Sequence, residues 1–330
     1  MSAAASPSPI LQLDEHVATA VREGLSTRPK RLPAWLFYDG AGSRLFDAIT
    51  RLPEYYPTRT ERGIFFLASE EIVDQARDGR RLRIAELGAG SAEKTRLLLR
   101  AAVERQDEVV YEPVDVSASA LDLAKRRIER EIPGVTVVPR VMDYTDGDDR
   151  RFHLGAMGPG ERRLMLYIGS SIGNFEPTEA ERLLGRVRAG LEVGDSMLLG
   201  VDLVKDEAML VAAYDDARGV TAAFNKNVLV RLNRELDADF DVEAFEHRAV
   251  WNQAKARMEM HLVSRCAQQI NIDELDMAVE FAAGETIHTE NSYKYRPAQA
   301  EVLLAKMGFK PVETWTDSRG WFAVCLGRAE

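Results

Sequence analysis

The residues IAELGAGSAEKT, 84–95, indicate the fold class most clearly, because they join an apolar run to a glycine turn and then to a helical pattern. A turn without Cβ atoms lets a ligand reach backbone N–H groups and the N-terminus of the following helix. Such turns bind nucleosides with phosphate groups and nucleosides without them. The residues around the glycines therefore have to indicate which of the two kinds of ligand this turn binds.

Acidic residues in this stretch argue against a phosphate ligand. A P-loop reads G-x-x-x-x-G-K-[ST] and a dinucleotide turn reads G-x-G-x-x-G, and Glu93 occupies the final glycine position of both patterns. A carboxylate there would oppose a phosphate at the helix N-terminus. S-Adenosylmethionine (SAM) lacks phosphate and carries two positive groups, which suits Glu86 just before Gly88. We predict SAM; an NAD or FAD site and a plain strand-turn-helix corner are the alternatives.

Composition excludes several classes of protein. A chain of 330 residues with 45% hydrophobic residues can bury a large core and is expected to form two lobes. It contains no apolar run near the ~18 residues of a membrane span and no signal-peptide pattern, so no membrane partner and a cytoplasmic location are expected. The net charge of −10 disfavours a nucleic-acid partner. Without an apolar heptad or repeat, a monomer is expected.

Alternating apolar strands and helices predict an α/β fold with a mostly parallel, Rossmann-like sheet covered on both faces. The predicted core comprises residues 75–204 plus 296–330, and residues 1–32 form a polar, partly helical lead-in. Residues 33–74 plus 205–295 break the alternation and are expected to form a second, substrate-binding cap domain. The pattern also predicts one continuous strand over residues 134–144 and one helix over residues 206–235.

Acidic residues follow the next two predicted strands. Asp115 ends the second strand, where a carboxylate can accept both ribose hydroxyls. After the third strand, Asp143 is placed for an adenine amino group and Tyr144 for stacking. Each acid alone could be a helix cap or turn former. Lys94 either reaches the carboxylate of the cofactor's methionine part or is exposed. The predicted cofactor residues are Glu86, Gly88, Gly90, Lys94, Asp115, Asp143 and Tyr144.

The fourth predicted strand ends in a polar loop, YIGSSIGNF, residues 167–175. Its Asn174 can donate and accept hydrogen bonds, so it fits the amine or carboxylate of a small substrate, or its own loop backbone. Cys266 and Cys325 are too isolated for a disulfide framework or a zinc site. No metal is predicted, because no metal-ligand spacing connects the histidines, which are His16, His153, His247, His261 and His288.

Six stretches together resemble a known family: residues 37–61 (FYDGAGSRLFDAITRLPEYYPTRTE), 86–95 (ELGAGSAEKT), 169–174 (GSSIGN), 203–206 (LVKD), 213–236 (AYDDARGVTAAFNKNVLVRLNREL) and 281–297 (FAAGETIHTENSYKYRP). They closely resemble the histidine N-alpha-methyltransferases of ergothioneine biosynthesis, over residues 33–328. The resemblance implies a class I methyltransferase fold and SAM as cofactor. It also implies trimethylation of the α-amino group of L-histidine to hercynine.

The resemblance also implies a set of site residues. Tyr38 and Tyr55 would position the amine and a water molecule. Asn174 and Tyr214 would hold the substrate carboxylate. Glu290 and Ser292, which alternate along an extended segment, would bracket the two imidazole nitrogens. The implied catalytic residues are Tyr38, Tyr55 and Asn174, and the implied substrate-binding residues are Tyr55, Asn174, Tyr214, Glu290, Ser292, Phe46 and Met260.

This chain departs from the family pattern in the glycine turn, where Gly-Ser-Gly-Thr is usual and residues 88–91 read Gly-Ala-Gly-Ser. Small residues remain, so little consequence is expected. Two other functions stay open: a methyltransferase of the same fold acting on another amino acid, such as tryptophan or tyrosine, and a non-catalytic protein that binds SAM or an amino acid. Met260 and Glu290 weigh against an indole substrate.

Overall fold

A computed structural model gives the fold of residues 15–144 and 154–330. Residues 1–14, which belong to the predicted lead-in, and residues 145–153, which include His153, lie outside the described residues. None of the described helices is both long and apolar enough to span a bilayer.

The described residues form the following elements. The helices are α1 (Glu15–Ser26), α2 (Gly40–Ile49), α3 (Pro57–Arg77), α4 (Thr95–Gln106), α5 (Ala118–Glu131), α6 (Pro177–Ala189), α7 (Glu207–Tyr214), α8 (Val220–Glu235) and α9 (Gln299–Lys306). The strands are β1 (Lys30–Arg31), β2 (Arg81–Leu87), β3 (Val109–Asp115), β4 (Val135–Val137), β5 (Arg140–Val141), β6 (Glu161–Tyr167), β7 (Ser196–Asp202), β8 (Phe245–Asn252), β9 (Arg257–Ser264), β10 (Gln268–Ile272), β11 (Met277–Phe281), β12 (Thr286–Tyr293), β13 (Phe309–Thr316) and β14 (Phe322–Ala329).

The chain divides into two compact units. The core unit comprises Tyr55–Leu210, Asn252–Arg257 and Asn291–Glu330, and the second unit comprises Met1–Glu54, Val211–Trp251 and Met258–Glu290. Residues 55–74, which the sequence assigns to the cap, belong to the core unit. The reason is that α3 buries Ile64, Phe65 and Ile72 in the same apolar cluster as the sheet.

The core unit contains a large mixed sheet in the order β13-β14-β7-β6-β2-β3-β4, and β5 extends the pairing beside β3. Strands β7, β6, β2, β3 and β4 pair in parallel, whereas β14 runs antiparallel to both β7 and β13. The predicted α/β fold with a mostly parallel sheet is confirmed. The strand order reverses direction between β2 and β6, and open α/β sheets bind ligands at the carboxyl ends of strands flanking such a point.

Helices cover both faces of this sheet. Leu98 of α4 and Ile128 of α5 lie in one buried cluster, and Leu183 of α6 and Leu304 of α9 lie in another. Every residue of β7 is buried. Burial on both faces explains why the parallel strands read as apolar runs in the sequence.

The second unit contains a sheet in the order β1-β12-β9-β8 and a separate hairpin of β10 and β11. Strand β1 pairs in parallel with β12. Helix α1 buries Val17, Val21 and Leu25. The described part of the N-terminal lead-in is therefore packed structure, because its apolar residues recur on one helical face.

Two predicted elements are interrupted. The strand over residues 134–144 splits into β4 and β5 around Pro139, which lacks the N–H that a continuous ladder requires. The helix over residues 206–235 splits into α7 and α8. There the carboxylate of Asp216 accepts N–H groups of Arg218, Val220 and Thr221, at 3.0, 3.1 and 2.7 Å, and so caps a new helix after Gly219.

Candidate active site

The glycine turn after β2 has one position in close contact with a neighbour, Gly88, and one open position, Gly90. Gly88 has φ +65°, and a Cβ there would lie 2.8 Å from the hydroxyl oxygen of Tyr144. Gly90 also has a positive φ, +49°, but no described heavy atom lies within 4 Å of its Cβ position. The turn therefore needs glycine conformations and leaves an open space above Gly90, where a ligand can approach the backbone.

Asp115, the last residue of β3, is tied to this turn. Its Oδ2 accepts the N–H of Gly90 at 3.0 Å, and its Oδ1 accepts the N–H of Ser117 at 3.0 Å. A carboxylate has about four acceptor positions, so each oxygen keeps capacity for a further donor such as a ribose hydroxyl. The Met142 N–H donates to the Asp115 carbonyl at 3.1 Å. This bond places the next residues, Asp143 and Tyr144, beside the same strand end.

Glu86 is buried beneath the turn. Its Oε2 accepts hydrogen bonds from Thr95 Oγ1, at 2.7 Å, and from the hydroxyl of Tyr111. Burial raises the pKa of Glu86 to about 7, against the opposing effect of these two hydrogen bonds. Glu86 therefore fastens β2 to β3 and to the first turn of α4, and its charge is sensitive to pH near neutrality.

Lys94 is neither exposed nor unpaired. Its ammonium group forms an ion pair with Glu61, a fully buried residue of α3. The Glu61 carboxylate also accepts the N–H of Gly169, with N–O distances of 2.9 and 3.0 Å. Sequence reasoning missed Glu61, because no local spacing connects it with the glycine turn. It holds Lys94 between the turn and the loop that follows β6.

That loop carries Asn174 and lies against the end of β12. A Cβ on Gly173 would lie 2.7 Å from the backbone oxygen of Tyr293. One residue past the loop, the Glu176 carboxylate accepts hydrogen bonds from Arg257 Nη1 and from the Tyr293 hydroxyl, both at 2.6 Å. Glu176 and Arg257 were not predicted from the sequence. They fix the position of Asn174 relative to the strand that carries Ser292.

Ser292 and Tyr55 also lie in the core unit. Ser292 is buried, and its Oγ accepts a hydrogen bond from Lys294 Nζ at 2.8 Å. Along β12, buried and half-buried residues alternate up to Glu290, but Glu290 and Asn291 are both half-buried. The regular alternation that would place Glu290 and Ser292 on the same side of the strand is therefore interrupted there. Tyr55 precedes α3, and its carbonyl accepts a hydrogen bond from Arg59 at 3.0 Å.

In the second unit, Tyr38 and Phe46 belong to an aromatic cluster around Phe224 of α8. The Tyr38 ring lies 5.7 Å from both Phe46 and Phe224, in edge-to-face geometry. Such pairs stabilise by about 0.5–1.5 kcal/mol beyond the area they bury. Phe224 was not among the predicted site residues, although it stands within a stretch that carries the family resemblance.

Tyr214 and Met260 are buried, whereas Glu290 is half-buried. His247 Nε2 lies 2.8 Å from the Tyr214 carbonyl, and Asn225 Nδ2 lies 2.8 Å from His247 Nδ1. These contacts define a neutral imidazole that donates to Tyr214 and accepts from Asn225, in agreement with a His247 pKa that burial lowers. Asn225 thereby fixes α8 and the Tyr214 backbone to β8.

One group of side chains in the second unit has metal-ligand character. Candidate ligand atoms of Glu259, His261 and His288 lie within 4.8 Å of one another. Two ring nitrogens are already engaged: His261 Nε2 lies 3.2 Å from Glu259 Oε2, and His288 Nε2 lies 2.9 Å from the Glu290 carbonyl. Sequence spacing could not reveal this group, because β9 and β12 bring it together. The expectation of no metal stays a prediction.

The predicted residues thus fall into two sets. The cofactor residues all belong to the core unit, and direct contacts with the turn are seen for Tyr144 and Asp115. The substrate residues are divided. Those in the core unit are Tyr55, Asn174 and Ser292, and those in the second unit are Tyr38, Phe46, Tyr214, Met260 and Glu290.

The sheet order, the glycine turn and Asp115 together fit one class of protein, the α/β proteins with a class I methyltransferase fold. A family model described as histidine-specific methyltransferase, SAM-dependent, matches residues 17–329. The chain belongs to this family and is a SAM-dependent methyltransferase. The predicted family resemblance is confirmed.

Relatives with known names are consistent with membership of this family. The histidine N-alpha-methyltransferase of Mycolicibacterium smegmatis is 47% identical, over 93% of this chain and 92% of its own length. Its counterpart in Mycobacterium tuberculosis is 45% identical with the same coverage. Ergothioneine biosynthesis protein 1 of Schizosaccharomyces pombe is 28% identical over 86% of this chain and 37% of its own length.

Proposed function

We propose that this protein trimethylates the α-amino group of L-histidine with SAM, giving hercynine, the first step of ergothioneine biosynthesis. The observation that carries the proposal is the match to the histidine-specific family over residues 17–329. The named activity of relatives that are 45–47% identical across almost the whole chain supports it. We further propose that the enzyme is a cytoplasmic monomer.

The reaction requires positioning more than covalent help from the protein. Bound SAM supplies a methyl group whose bond to sulfur breaks as a bond to the amine nitrogen forms, leaving a neutral thioether. The amine must lose a proton before each transfer, and a positioned water molecule or phenol oxygen can carry that proton away. Tyr38 and Tyr55 are assigned to position the amine and that water. Holding the amine at ~3 Å from the methyl carbon supplies much of the acceleration.

The geometry of the core unit supports the proposed cofactor roles. Asp115 retains acceptor capacity for ribose hydroxyls beside the open space at Gly90. Asp143 is assigned to the adenine amino group and Tyr144 to stacking. Lys94, held in place by Glu61, is assigned to the carboxylate of the methionine part, an interaction of about 1.5–3 kcal/mol.

Calorimetry tests the cofactor assignment. The protein is expected to bind SAM and to take up neither NAD nor ATP. Lys94→Met should weaken SAM binding about tenfold or more but leave 5′-methylthioadenosine, which lacks the carboxylate, unchanged. Lys306→Met removes a lysine that is 57% exposed and should affect neither ligand. Equal losses for both ligands in Lys94→Met would show that Lys94 acts only through the fold.

The histidine-binding roles are proposals that rest on the family resemblance. Glu290 and Ser292 are assigned to the imidazole nitrogens, and Asn174 and Tyr214 to the carboxylate. The apolar parts of the site are assigned to Phe46 and Met260. A site built to hydrogen-bond ring nitrogens can reject analogues that lack them by ~10⁴-fold, because such analogues leave buried polar groups unpaired.

Glu290→Ala tests the substrate assignment. We expect a large loss of kcat/KM for histidine with SAM affinity unchanged, because Glu290 is assigned to the imidazole and not to the cofactor. The matched control is Glu280→Ala, which removes an exposed acid from β11 and should change neither quantity. Parallel losses of histidine turnover and SAM binding would contradict the role given to Glu290.

A further inference from the structure

A buried ion cluster lies beneath Ser292 in the core unit. At its centre is Asp202, the last residue of β7, whose side chain is 1% exposed. Its carboxylate contacts Lys205 Nζ at 2.5 Å, Lys294 Nζ at 2.9 Å and the Tyr56 hydroxyl at 2.7 Å. Burying so many charged groups costs desolvation energy, and such clusters are weak evidence for stability alone. The arrangement therefore requires a functional explanation.

The backbone sets the position of Lys294. The N–H of Tyr295 donates to the Asp202 carbonyl at 2.8 Å, and the N–H of Val204 donates to the Tyr295 carbonyl at 2.9 Å. These bonds join the segment after β12 to the end of β7 and place Lys294 beside the Asp202 carboxylate. From there, Lys294 Nζ donates to Ser292 Oγ at 2.8 Å.

One carboxylate, that of Asp202, contacts two lysine side chains in this cluster. Burial would raise the pKa of Asp202, but Lys294 and Lys205 outweigh it and hold that pKa below its ordinary value. Burial lowers the pKa of Lys205 to about 8, against the pull of Asp202. Lys294 Nζ contacts both the Asp202 carboxylate, at 2.9 Å, and Ser292 Oγ, at 2.8 Å.

Asp202 also reaches the loop that carries Asn174. Its backbone N–H donates to Ser170 Oγ at 2.9 Å, and Ser170 precedes the short helix Ser171–Asn174. The same residue therefore anchors two elements that the proposed function assigns to the substrate, the Asn174 loop and the segment with Ser292.

We propose that Lys294 is a positioning residue for imidazole recognition: by donating to Ser292 Oγ, it commits the Ser292 hydroxyl to act as a hydrogen-bond donor toward an unprotonated ring nitrogen of the substrate. A hydroxyl that accepts from an ammonium group is polarised and becomes a better donor. A protonated ring nitrogen would instead point its N–H at an oxygen backed by positive charge. The inference rests on the proposed function, because it takes histidine as the substrate of Ser292.

In this proposal, two residues of β12 have different roles in binding the imidazole. Ser292 would donate to one imidazole nitrogen, while Glu290 would accept the N–H of the other. Together they select the neutral imidazole in one tautomer. Lys294 itself would contact no substrate atom, so its removal should act only through Ser292.

A double-mutant cycle tests this inference. Lys294→Met and Ser292→Ala should each raise KM for histidine about tenfold, and the double variant should be no worse than Ser292→Ala. SAM affinity should stay within about twofold of wild type in all three. Lys294→Arg, which keeps a charged donor for Ser292, should restore most of the histidine KM.

Lys205→Met is the matched control, because it removes the other lysine on Asp202 and leaves the Ser292 contact intact. It should lower thermal stability without raising KM for histidine. If Lys294→Met does not fold, Lys294→Gln, which keeps an N–H but removes the charge, is measured in the same cycle. The inference is overturned if the Lys294 effect persists undiminished in the Ser292→Ala background, or if Lys205→Met raises KM equally. Absence of histidine methylation by the wild type would instead overturn the proposed function.

Discussion

Some of the residues predicted to bind the cofactor have both a structural and an electrostatic role. Glu86 illustrates this, since the acid that first indicated a positively charged ligand is also a buried hydrogen-bond acceptor for Thr95 and Tyr111. Its residue type and place before Gly88 could be read from the sequence. Its partners could not, because Tyr111 lies on the neighbouring strand. The same holds for Glu61, which only the packing of α3 brings to Lys94.

The raised pKa of Glu86 predicts how stability changes with pH. Because the folded-state pKa of about 7 exceeds the ordinary value of 4.5, protonation favours the folded state. This contribution is complete below about pH 4.5 and is lost as the pH rises through about 7. Glu86→Gln, which stays neutral, should therefore gain stability relative to wild type between pH 5 and 8, by up to about 3 kcal/mol.

Urea denaturation at pH 5 and at pH 8 measures the free energy of unfolding of wild type and Glu86→Gln. Glu280→Gln, at an exposed position of β11, is the control and should show a difference that is independent of pH. If the stability difference between Glu86→Gln and wild type were the same at pH 5 and pH 8, Glu86 would not titrate as inferred.

Local sequence patterns predicted most of the helices and strands of the core unit. In helix α5, the apolar periodicity and the Ser117 cap are both local signals. The interruptions at Pro139 and Asp216 were missed although their residue types favour breaks. Strands β8 and β10 were not predicted, since their pairing depends on partners distant in sequence.

The close approach of the Asn174 loop to β12 gives a prediction at this scale. Gly173→Ala should push the loop away from the Tyr293 backbone, because a Cβ would lie 2.7 Å from that oxygen and 3.1 Å from the Tyr293 nitrogen. We expect KM for histidine to rise about tenfold or more, with SAM affinity little changed. Steady-state kinetics and calorimetry measure the two quantities.

Gly185→Ala provides the matched control for this substitution. Gly185 lies in α6, and apart from its chain neighbours and the backbone of its own helix, no described heavy atom lies within 4 Å of its Cβ position. Alanine there should leave the kinetics unchanged and raise stability by up to about 1 kcal/mol. If Gly173→Ala behaved like Gly185→Ala, the loop would not be held as tightly as its contacts indicate.

For the whole molecule, the sequence predicted a mostly parallel sheet and a second unit, but not how the second unit is built. Its sheet pairs β1 near the N-terminus with β12 near the C-terminus, and no local pattern predicts such pairing. The family resemblance could assign substrate residues to this part of the chain. Residue spacing alone could not, because those residues are spread from Tyr38 to Ser292.

Metal removal is expected to leave turnover unchanged. The methyl group leaves a sulfur that is already positive, so the departing thioether needs no Lewis acid. Turnover before and after dialysis against EDTA measures this directly, with His261→Ala as a companion variant. A loss that added Zn²⁺ restores in wild type but not in His261→Ala would assign a metal to the group of Glu259, His261 and His288.

Product analysis by mass spectrometry shows directly whether this protein trimethylates histidine. The purified protein is incubated with SAM and, separately, with each proteinogenic amino acid. We predict that histidine alone gains one, two and finally three methyl groups on its α-amino nitrogen, with equivalent formation of the demethylated cofactor. Methylation of tryptophan or tyrosine in preference to histidine, or no methylation of any amino acid, would contradict the account.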